Sequence, residues 1–166
     1  TCAGELDAEI RLDGRTIKRC ANVKPFVRVN NGMLASEWLQ KGDYFIDTRE
    51  YDKDADRLKI HCYDAMLRGE QPLLTYDDAM VEFPKQDIEV LDMILEKLNV
   101  ELDERTVLGK SYSISHPGIG ESAYTVREVL GYIGGLYAGN WHITDDGKLR
   151  LVSITGGDVN AQRVDG

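Results

Sequence analysis

The stretch YTVREVLGYIGGLYAGNWHITDDGKLRLV, residues 124–152, encodes a capped helix, a stop and a tight hairpin in continuous order. Thr125 and Glu128 have the spacing of a capping box, in which each side chain accepts a hydrogen bond from the backbone amide of the other residue. Tyr124 before the cap and Val129 inside the helix are placed as a hydrophobic staple. The stretch therefore predicts a helix that begins just after Thr125.

Beyond the cap, apolar residues recur at intervals of three and four, which is typical of one buried helical face. They are Val126, Val129, Leu130, Ile133, Leu136 and Tyr137. We expect the helix to cover residues 126–138, with Gly139 as a left-handed C-cap. Gly134 and Gly135 each cost roughly 1 kcal/mol relative to alanine inside a helix. Close packing of a strand or a neighbouring backbone would explain these two glycines, and so would simple tolerance.

The residues that follow this helix predict a β-hairpin. Residues 140–144 and 148–152 flank the turn sequence Asp145-Asp146-Gly147, which favours a tight reversal. Side chains alternate between the two faces of a strand, so Trp141 and Ile143 share one face of the first strand. Leu149 and Leu151 of the second strand are placed to meet them.

A second helical stripe lies upstream, in residues 86–98. Its apolar positions are Ile88, Leu91, Ile94, Leu95 and Leu98. Pro84 precedes this helix, and Asn99 is placed as its C-cap. At about 1.5 Å per residue, the helix is close to 20 Å long, so the two helices can lie side by side on one small sheet. The intervening residues 106–122 predict a loop with one short strand at 112–115.

The first seventy residues predict only β-strands. Leu6, Ala8, Ile10 and Leu12 alternate with charged neighbours and end at the turn Asp13-Gly14. Four further strands are predicted at residues 23–29, 37–39, 44–51 and 57–63. The polar residues 52–56 are suited to an exposed hairpin loop between the last two, whose register the sequence leaves open.

The change of period after Pro72 places a boundary near Leu73. We therefore predict an α+β fold with a β-rich unit over residues 1–72 and a small α/β insertion over residues 73–152, in which two helices pack on a short sheet or hairpin. Residues 153–166 are polar and are expected to return toward the first unit or to fray.

The composition is that of a soluble globular protein, with 166 residues, of which 42% are hydrophobic and 30% are charged. No apolar run approaches the roughly 20 residues that span a bilayer, and the N-terminus does not resemble a signal sequence.

The net charge of −9 argues against specific binding to nucleic acid, which requires clustered Lys and Arg. The first residue is Thr1 and not Met, so the chain is either processed or a piece of a longer protein, and we expect the second.

The three cysteines, Cys2, Cys20 and Cys62, are odd in number and have no CxxC spacing. This pattern excludes the usual zinc-ribbon and thioredoxin-like sites and fits a reducing compartment. Cys62 alternates with Leu58 and Ile60, so we expect a buried, inert thiol on a strand.

Several local patterns imitate functional motifs without completing them. Asp52, Asp54 and Asp56 resemble the start of a calcium loop, but Arg57 and Tyr63 occupy the positions that require glycine and a carboxylate. The sequence Gly109-Lys110-Ser111 resembles the end of a phosphate-binding loop, but Glu104 stands where the first glycine is required. The histidines show no paired metal-ligand spacing. They are His61, His116 and His142.

Hydrolytic chemistry has equally weak support. Ser113 and Ser115 lie beside His116, but no GxSxG elbow exposes a serine nucleophile. Glu82 and Asp87 are one of many carboxylate pairs that an acidic chain offers, and such a choice carries no weight. We therefore assign no catalytic, cofactor-binding or metal-binding residue, expect no cofactor, and expect the protein not to be an enzyme.

The order of features in TVREVLGYI, residues 125–133, and GNWHITDDGKLRLV, residues 139–152, resembles the tail-hub or tail-tip (baseplate) proteins of phages and prophages of Gram-positive bacteria. Two upstream segments are similar to the same family. SEWLQKGDYFIDTREYDKDADRLKIHCYDAMLRGEQP, residues 36–72, looks like its run of strands, and FPKQDIEVLDMILEKLNVEL, residues 83–102, like the helix that follows. The resemblance covers roughly residues 27–152.

This resemblance implies a structural component of a phage tail, located in the virion after assembly in the bacterial host cytoplasm. Such proteins are typically trimeric hubs with β-barrel-like domains and a small α/β insertion, and their partners are other tail proteins. Their inner walls are often acidic, so some of the 29 carboxylates here would line a lumen past which DNA slides. A solvated surface that keeps the protein soluble explains the same carboxylates.

Two other functions stay open at the level of sequence. The first is a binding module for cell-wall carbohydrate or a tail-fibre protein, with Trp38, Trp141 and tyrosines as stacking platforms. A core or interface role is the default for both tryptophans, since each lies in a predicted strand. The second is a peptidoglycan hydrolase, because tail-tip proteins of this kind carry such domains elsewhere in their length.

Overall fold

The computed structural model describes residues 3–154 and shows a mixed α+β fold, as the sequence predicts. The strands are β1 (Glu5–Arg11), β2 (Asn22–Val23), β3 (Phe26–Val27), β4 (Leu39–Gln40), β5 (Tyr44–Asp52), β6 (Arg57–Tyr63), β7 (Lys85–Gln86), β8 (Ser113–Ile114), β9 (Gly139–Ile143) and β10 (Leu149–Ser153). The helices are α1 (Asp87–Leu98) and α2 (Val126–Leu136), with short 3₁₀ helices at Ala65–Glu70, Tyr76–Asp78 and Gly120–Ser122. Cys2 and residues 155–166 of the expected return segment lie outside the described residues. None of the described helices combines the length and apolarity that crossing a bilayer requires.

Four antiparallel strands form the main sheet in the order β1-β6-β5-β2, and the sheet curls into half a barrel. The register that the sequence left open pairs Phe45 with Tyr63 and Tyr51 with Leu58, with a shift between Ile46 and Thr48. This irregularity changes the face on which β5 side chains point, so sequence alternation alone does not give the register.

One face of this sheet carries a first hydrophobic core. Its buried residues are Ile46, Leu58, Ile60 and Cys62, and β1 contributes Leu6, Ala8 and Ile10. The expectation of a buried Cys62 is confirmed, since its side chain is fully buried. Burial raises the pKa of this thiol, which keeps it protonated and unreactive at neutral pH.

The strand predicted at residues 23–29 is instead two short strands that belong to different sheets. β2 pairs with β5 in the main sheet, whereas β3 pairs with β4 in a separate ladder. Pro25 lies between them and has no N–H to donate, so it ends the first ladder. The strand predicted at residues 37–39 begins only at Leu39.

A second and larger core joins both helices to the β9–β10 hairpin. Its buried residues are Met66, Leu73, Val90, Leu91, Ile94, Leu98, Val126, Val129, Leu130, Ile133, Trp141, Leu149 and Leu151. Met66 lies before the expected boundary near Leu73 but packs in this second core. The division into units at that boundary stays a prediction.

The capping box of α2 is confirmed. Thr125 Oγ1 accepts a hydrogen bond from the Glu128 amide at 3.2 Å, and Glu128 Oε2 accepts one from the Thr125 amide at 2.8 Å. The expected C-cap is wrong, because the helix ends at Leu136 and the left-handed residue is Ala138, with φ of +47°. Gly139 opens β9 instead, where a Cβ would lie only 2.8 Å from Leu151 Cδ1.

The paired glycines of α2 have different explanations. A Cβ on Gly134 would lie 3.0 Å from the Gly139 carbonyl oxygen and 3.2 Å from Trp141 Cδ1. A Cβ on Gly135 or on Gly131 would meet no atom within 4 Å. Close packing of β9 therefore requires Gly134, whereas Gly135 is simply tolerated.

Helix α1 has the predicted limits, with Gln86 as its N-cap and Asn99 as a left-handed C-cap at φ of +54°. The predicted apolar stripe is wrong at one position, because Ile88 is 44% exposed and Val90 is buried in its place. Asp87 also belongs to the buried face, since its carboxylate accepts a hydrogen bond from the Tyr137 hydroxyl. A search for apolar periodicity overlooks such a buried acid.

The β9–β10 hairpin is confirmed. Trp141 pairs with Leu151 and Ile143 pairs with Leu149. Gly147 closes the turn with φ of +84°, a left-handed conformation that favours glycine.

Gly131 and Gly134 of α2 provide a matched pair of tests. Gly131→Ala should raise the free energy of unfolding by about 1 kcal/mol, because it adds helix propensity in open space. Gly134→Ala should lower it, because the new methyl group presses on the Gly139 backbone and the buried Trp141 ring. Chemical denaturation of both variants measures the difference, and equal stabilisation by both substitutions would contradict the close packing.

The capping box can be tested by Glu128→Ala. We expect a loss of about 1 kcal/mol in the free energy of unfolding, since the Thr125 amide loses its partner. Thermal denaturation measures this loss, with Glu82→Ala as the control on an exposed glutamate outside the helices. An unchanged midpoint for Glu128→Ala would count against the cap.

Candidate functional site

Residues 26–40 form a hairpin that we call the arm. β3 and β4 pair at its base, and a bridge between Asn30 and Ala35 continues the ladder toward the tip. The side chain of Asn31 closes the tip by accepting hydrogen bonds from the amides of Met33 at 3.0 Å and Leu34 at 2.8 Å. The arm is therefore ordered by its own backbone and amide side chains.

Large apolar side chains of the arm are exposed rather than packed. Seven of them have exposed fractions between 48% and 93%, and none belongs to either core. They are Phe26, Val27, Val29, Met33, Leu34, Trp38 and Leu39. The tip is the most exposed part, with Met33 at 93% and Leu34 at 77%. Exposed apolar side chains gathered on one hairpin are typical of a site of interaction with another molecule.

Polar contacts fix the base of the arm to the β9–β10 turn. Gln40 Nε2 donates to the Asp145 carbonyl at 2.7 Å, and Lys41 Nζ lies 3.5 Å from an Asp145 carboxylate oxygen. Asp43 pairs with Lys24 at 2.9 Å and lies directly against Gly147. The arm therefore leaves the body from a defined position.

A basic segment, residues 14–36, runs into the arm and includes its tip. Residues 14–36 contain five cations and no carboxylate, and all five cations are exposed. They are Arg15, Lys18, Arg19, Lys24 and Arg28. Since the whole chain has a net charge of −9, this basic segment of +5 leaves −14 on the remaining residues. The overall charge conceals this asymmetry, which a scan of local charge along the sequence would have revealed.

A polar groove of about 670 Å³ lies beside the β9–β10 turn. Asp103 in this groove is 3% exposed and forms a bidentate ion pair with Arg105, at 2.8 Å to Nε and 2.6 Å to Nη2. These bonds hold the pKa of Asp103 well below its usual range. The Asp103 amide also donates to the Leu149 carbonyl at 2.8 Å, so this aspartate joins the preceding loop to β10.

His142 lies in the same groove on β9. Burial lowers the pKa of its imidazole, and the positive charge of Arg150 lowers it further. At neutral pH the groove therefore holds a neutral imidazole and a carboxylate committed to Arg105. The Asp103 carboxylate is already bound by Arg105. The groove therefore offers a polar surface for contact with another molecule.

The two tryptophans have opposite environments. Trp141 is 2% exposed in the second core, which confirms the default core role and rules it out as a stacking platform. Trp38 is 58% exposed, and the guanidinium of Arg28 lies 4.6 Å from its ring centroid. Arg28 thus stacks on the Trp38 ring, while more than half of the residue stays exposed.

The residues that imitate calcium-binding and phosphate-binding motifs have other roles in the structure. Asp52 Oδ1 accepts hydrogen bonds from the amides of Asp54 and Ala55 at 3.0 and 3.2 Å, which makes it a turn residue. Residues 109–111 lead into strand β8 and not into a helix. Among the described residues, no group of three acids, histidines or cysteines converges as metal ligands.

The candidate hydrolytic residues also have structural partners. His116 Nδ1 accepts a hydrogen bond from the Gly118 amide at 3.0 Å, within its own turn, and Ser115 is exposed beside it. Asp87 is engaged by the Tyr137 hydroxyl and by its neighbour's amide at 3.0 Å. Glu82 is exposed in a loop.

Comparisons of the chain with protein-family models, with curated proteins and with solved structures find no match. The arm, the basic segment and the polar groove are therefore interpreted from their own geometry and charge.

The two strand histidines should titrate on opposite sides of the ordinary value of 6.5. The hydrogen bond to Asp7, at 2.7 Å from Nδ1, raises the pKa of His61, whereas burial lowers that of His142. The stabilisation from His61 is therefore lost as pH rises through its folded pKa, and that from His142 is lost as pH falls below its unfolded pKa and through its lower folded pKa.

NMR titration of the imidazole resonances measures both values. Asp7→Asn should return the midpoint of His61 toward 6.5 and leave that of His142 unchanged. A midpoint for His142 above that of His61 would overturn the assignment of the two environments.

Proposed function

We propose that the chain is a structural, non-enzymatic piece of a phage or prophage tail-hub protein, which acts by assembling with neighbouring subunits. The observation that carries this proposal is the arm, in which seven large apolar side chains lie outside both cores. A monomer gains nothing from exposing them, since their burial against another subunit would contribute roughly 25 cal/mol per Å². The sequence resemblance to hub proteins supplies the identity of the assembly.

The main sheet supports the same proposal. It curls through half a barrel, and within the described residues β1 pairs with β6 on one side only. An unpaired strand edge accepts a strand or loop from another chain. We propose that the sheet belongs to a barrel-like N-terminal domain, that the parent protein is a trimer, and that its partners are other tail proteins of the virion.

A binding module for cell-wall carbohydrate or a tail-fibre protein is the second candidate. The observation that favours it is the exposed Trp38 ring, because sugars stack on open aromatic faces. Trp38 lies within the apolar arm and stacks with Arg28, which favours a protein contact over a sugar contact.

The identity of the assembly is tested in phage particles induced from a strain that encodes the chain. We expect mass spectrometry of purified particles to detect the parent protein at a few copies per tail, and deletion of its coding sequence to leave tails without a completed tip. Absence of the protein from intact, infectious particles would overturn the proposed function.

The role of the arm is tested by light scattering across a range of protein concentrations. We expect the chain to exceed its monomer mass of 18.7 kDa, and the double variant Met33→Lys with Leu34→Lys to return to that mass. The lysines leave the tip backbone bonds to Asn31 intact. Val107→Lys is the matched control, since Val107 is a 79% exposed residue outside the arm, and it should assemble as the unmodified chain does.

A further inference from the structure

Strand β1 has an open edge on the side away from β6. The Gly4 carbonyl accepts a hydrogen bond from the Asp64 amide at 3.0 Å, and the Leu12 amide donates to the Asp56 carbonyl at 3.0 Å. Alternate residues of an antiparallel strand bond to the same neighbour, so the even-numbered residues of β1 bond to β6. The backbone groups of the odd-numbered residues therefore point to the edge at which no described strand pairs with β1. They are Glu5, Asp7, Glu9 and Arg11.

On the face of the main sheet opposite the first core, charge alternates from strand to strand. Glu9 of β1 lies opposite Lys59 of β6, which lies opposite Glu50 of β5. Arg57 of β6 lies opposite Asp52 of β5 in the same way. The central strand is thus basic on this face, and the strands on either side of it are acidic. A basic strand is the matching neighbour for the open edge of β1, because opposite charges on adjacent strands stabilise a sheet.

The carboxylates of β1 stay accessible beside this edge. His61 binds Asp7 Oδ1 at 2.7 Å and Arg57 binds Glu9, and both of these partners belong to β6. The Asp7 side chain is 80% exposed with that bond in place, and Glu5 is exposed as well. A cation on a further strand would therefore meet exposed carboxylates.

The other face of β1 is apolar and incompletely covered. Leu6, Ala8 and Ile10 pack against the first core but are only partly buried. On the central strand β6, by contrast, Leu58 and Ile60 are 5% and 3% exposed. The difference arises because β6 has a strand on both sides, whereas β1 has one. A further strand at the edge would bury the apolar face of β1.

Strand β3 of the arm has an open edge with the complementary pattern. The Pro25 and Val29 carbonyls accept hydrogen bonds from amides of the returning chain, each at 2.8 Å. Phe26 and Arg28 therefore direct their backbone groups to the opposite side, where no described strand pairs with β3. Their side chains share one face of the strand. Val27 and Val29, which are 48% and 76% exposed, share the other.

We propose that β3 of one copy of the chain pairs antiparallel with β1 of a second copy, with Arg28 opposite Asp7. This register places Val27 opposite Ala8, so the apolar faces of the two strands become continuous. The Arg28 guanidinium lies on the acidic face of β1. The inference rests on the proposed function, because it names the contact by which copies of the hub assemble.

Charge and topology identify a second copy as the occupant of the edge. Two β1 strands paired about Ala8 would place Asp7 opposite Glu9, and like charges directly opposite each other destabilise a sheet. The arm belongs to the basic segment of residues 14–36, which contains five cations and no carboxylate. In its own chain the arm follows β2, at the opposite end of the strand order from β1. The pairing therefore joins the arm of one copy to the edge of another.

The proposed contact joins two different edges, so it is heterologous. Each copy offers one β1 edge and one arm, and such contacts produce a ring when the rotation closes. A closed ring leaves neither of these edges open to further strands. Met33 and Leu34 lie beyond the paired residues and are left for burial on the same neighbour.

Reversed charges on the two edges test the contact. Asp7→Lys places a cation opposite Arg28 of the next copy, and Arg28→Glu places a carboxylate opposite Asp7. Light scattering of each variant alone should give the monomer mass of 18.7 kDa. An equimolar mixture should regain the mass of the unmodified assembly, because every edge then finds an arm of opposite charge. Glu82→Lys reverses an exposed carboxylate away from both edges and should assemble as the unmodified chain does.

Circular dichroism checks that each variant keeps its fold. Retention of assembly by either variant alone would overturn the inference, and so would a folded mixture that stays monomeric. An unmodified chain that stays monomeric but binds heparin would also overturn it and would assign the basic segment to a polyanion.

A disulfide between copies measures the register without changing any charge. Chains with Ala8→Cys and chains with Val27→Cys, each with Cys2 and Cys20 replaced by serine, are mixed and oxidised. Opposite residues on paired strands have Cα atoms about 4.5–5.5 Å apart, within the range of about 4.4–6.8 Å that a disulfide requires. A covalent dimer should form in the mixture, and Val107→Cys in place of Val27→Cys should not form one, since Val107 is exposed outside the arm. Equal yields from the two mixtures, or no dimer from either, would overturn the inference.

This result is separable from the proposed function. If the parent protein is found in phage tails but the cysteines at positions 8 and 27 do not link, the arm contacts a different surface and only the inference fails. If the cysteines link but the protein is absent from phage particles, the contact stands and the proposed function fails.

Discussion

The close approach of strand β9 to helix α2 is the constraint on which the second core depends. The Trp141 side chain is buried in the core that the hairpin shares with both helices, and it lies against α2 because Gly134 has no side chain. Gly139 allows the same approach on the opposite side, where the Leu151 side chain and the Val152 carbonyl lie against it. The cost of two glycines is offset by burial of a whole indole ring, whose apolar area is among the largest of any side chain.

The turn after β6 joins the two cores. Asp64 is 8% exposed and accepts hydrogen bonds from the amides of Gly4 at 2.8 Å and Met66 at 2.9 Å, which ties β1 to the 3₁₀ helix. Burial raises the pKa of this carboxyl, while the two amide bonds oppose that rise. Arg68 follows on the same helix, stacks on the Phe45 ring at 4.5 Å and donates to the Leu98 carbonyl at 2.7 Å. The sheet and the helices are thereby connected through side chains of one short segment.

The large apolar side chains of the arm, unlike those of the two cores, are exposed and do not stabilise the fold by burial. Its backbone bonds and the Asn31 side chain order the hairpin, so the exposed Met33 and Leu34 side chains are free to contact another molecule. The basic segment beside it has no matching carboxylates within residues 14–36. Neither core includes the exposed apolar residues of the arm, and the proposed contact with another subunit would bury them. The residues that order the arm therefore differ from those that we propose for assembly, and substitutions at the tip are expected to leave the fold unchanged.

The sequence by itself determined the elements that contacts over a few residues specify. The capping box at Thr125, the left-handed Asn99, the Gly147 turn and the Trp141–Leu151 pairing all follow from such local chemistry. Tertiary structure decided which apolar surfaces are covered, because alternation marks two faces of a strand without saying which face meets a neighbour. For this reason sequence patterns alone assign Trp38 and Trp141 the same role, although Trp38 is exposed on the arm and Trp141 is buried against helix α2. The apolar arm and its basic approach become a candidate site only once the fold shows that no other part of the described chain covers them.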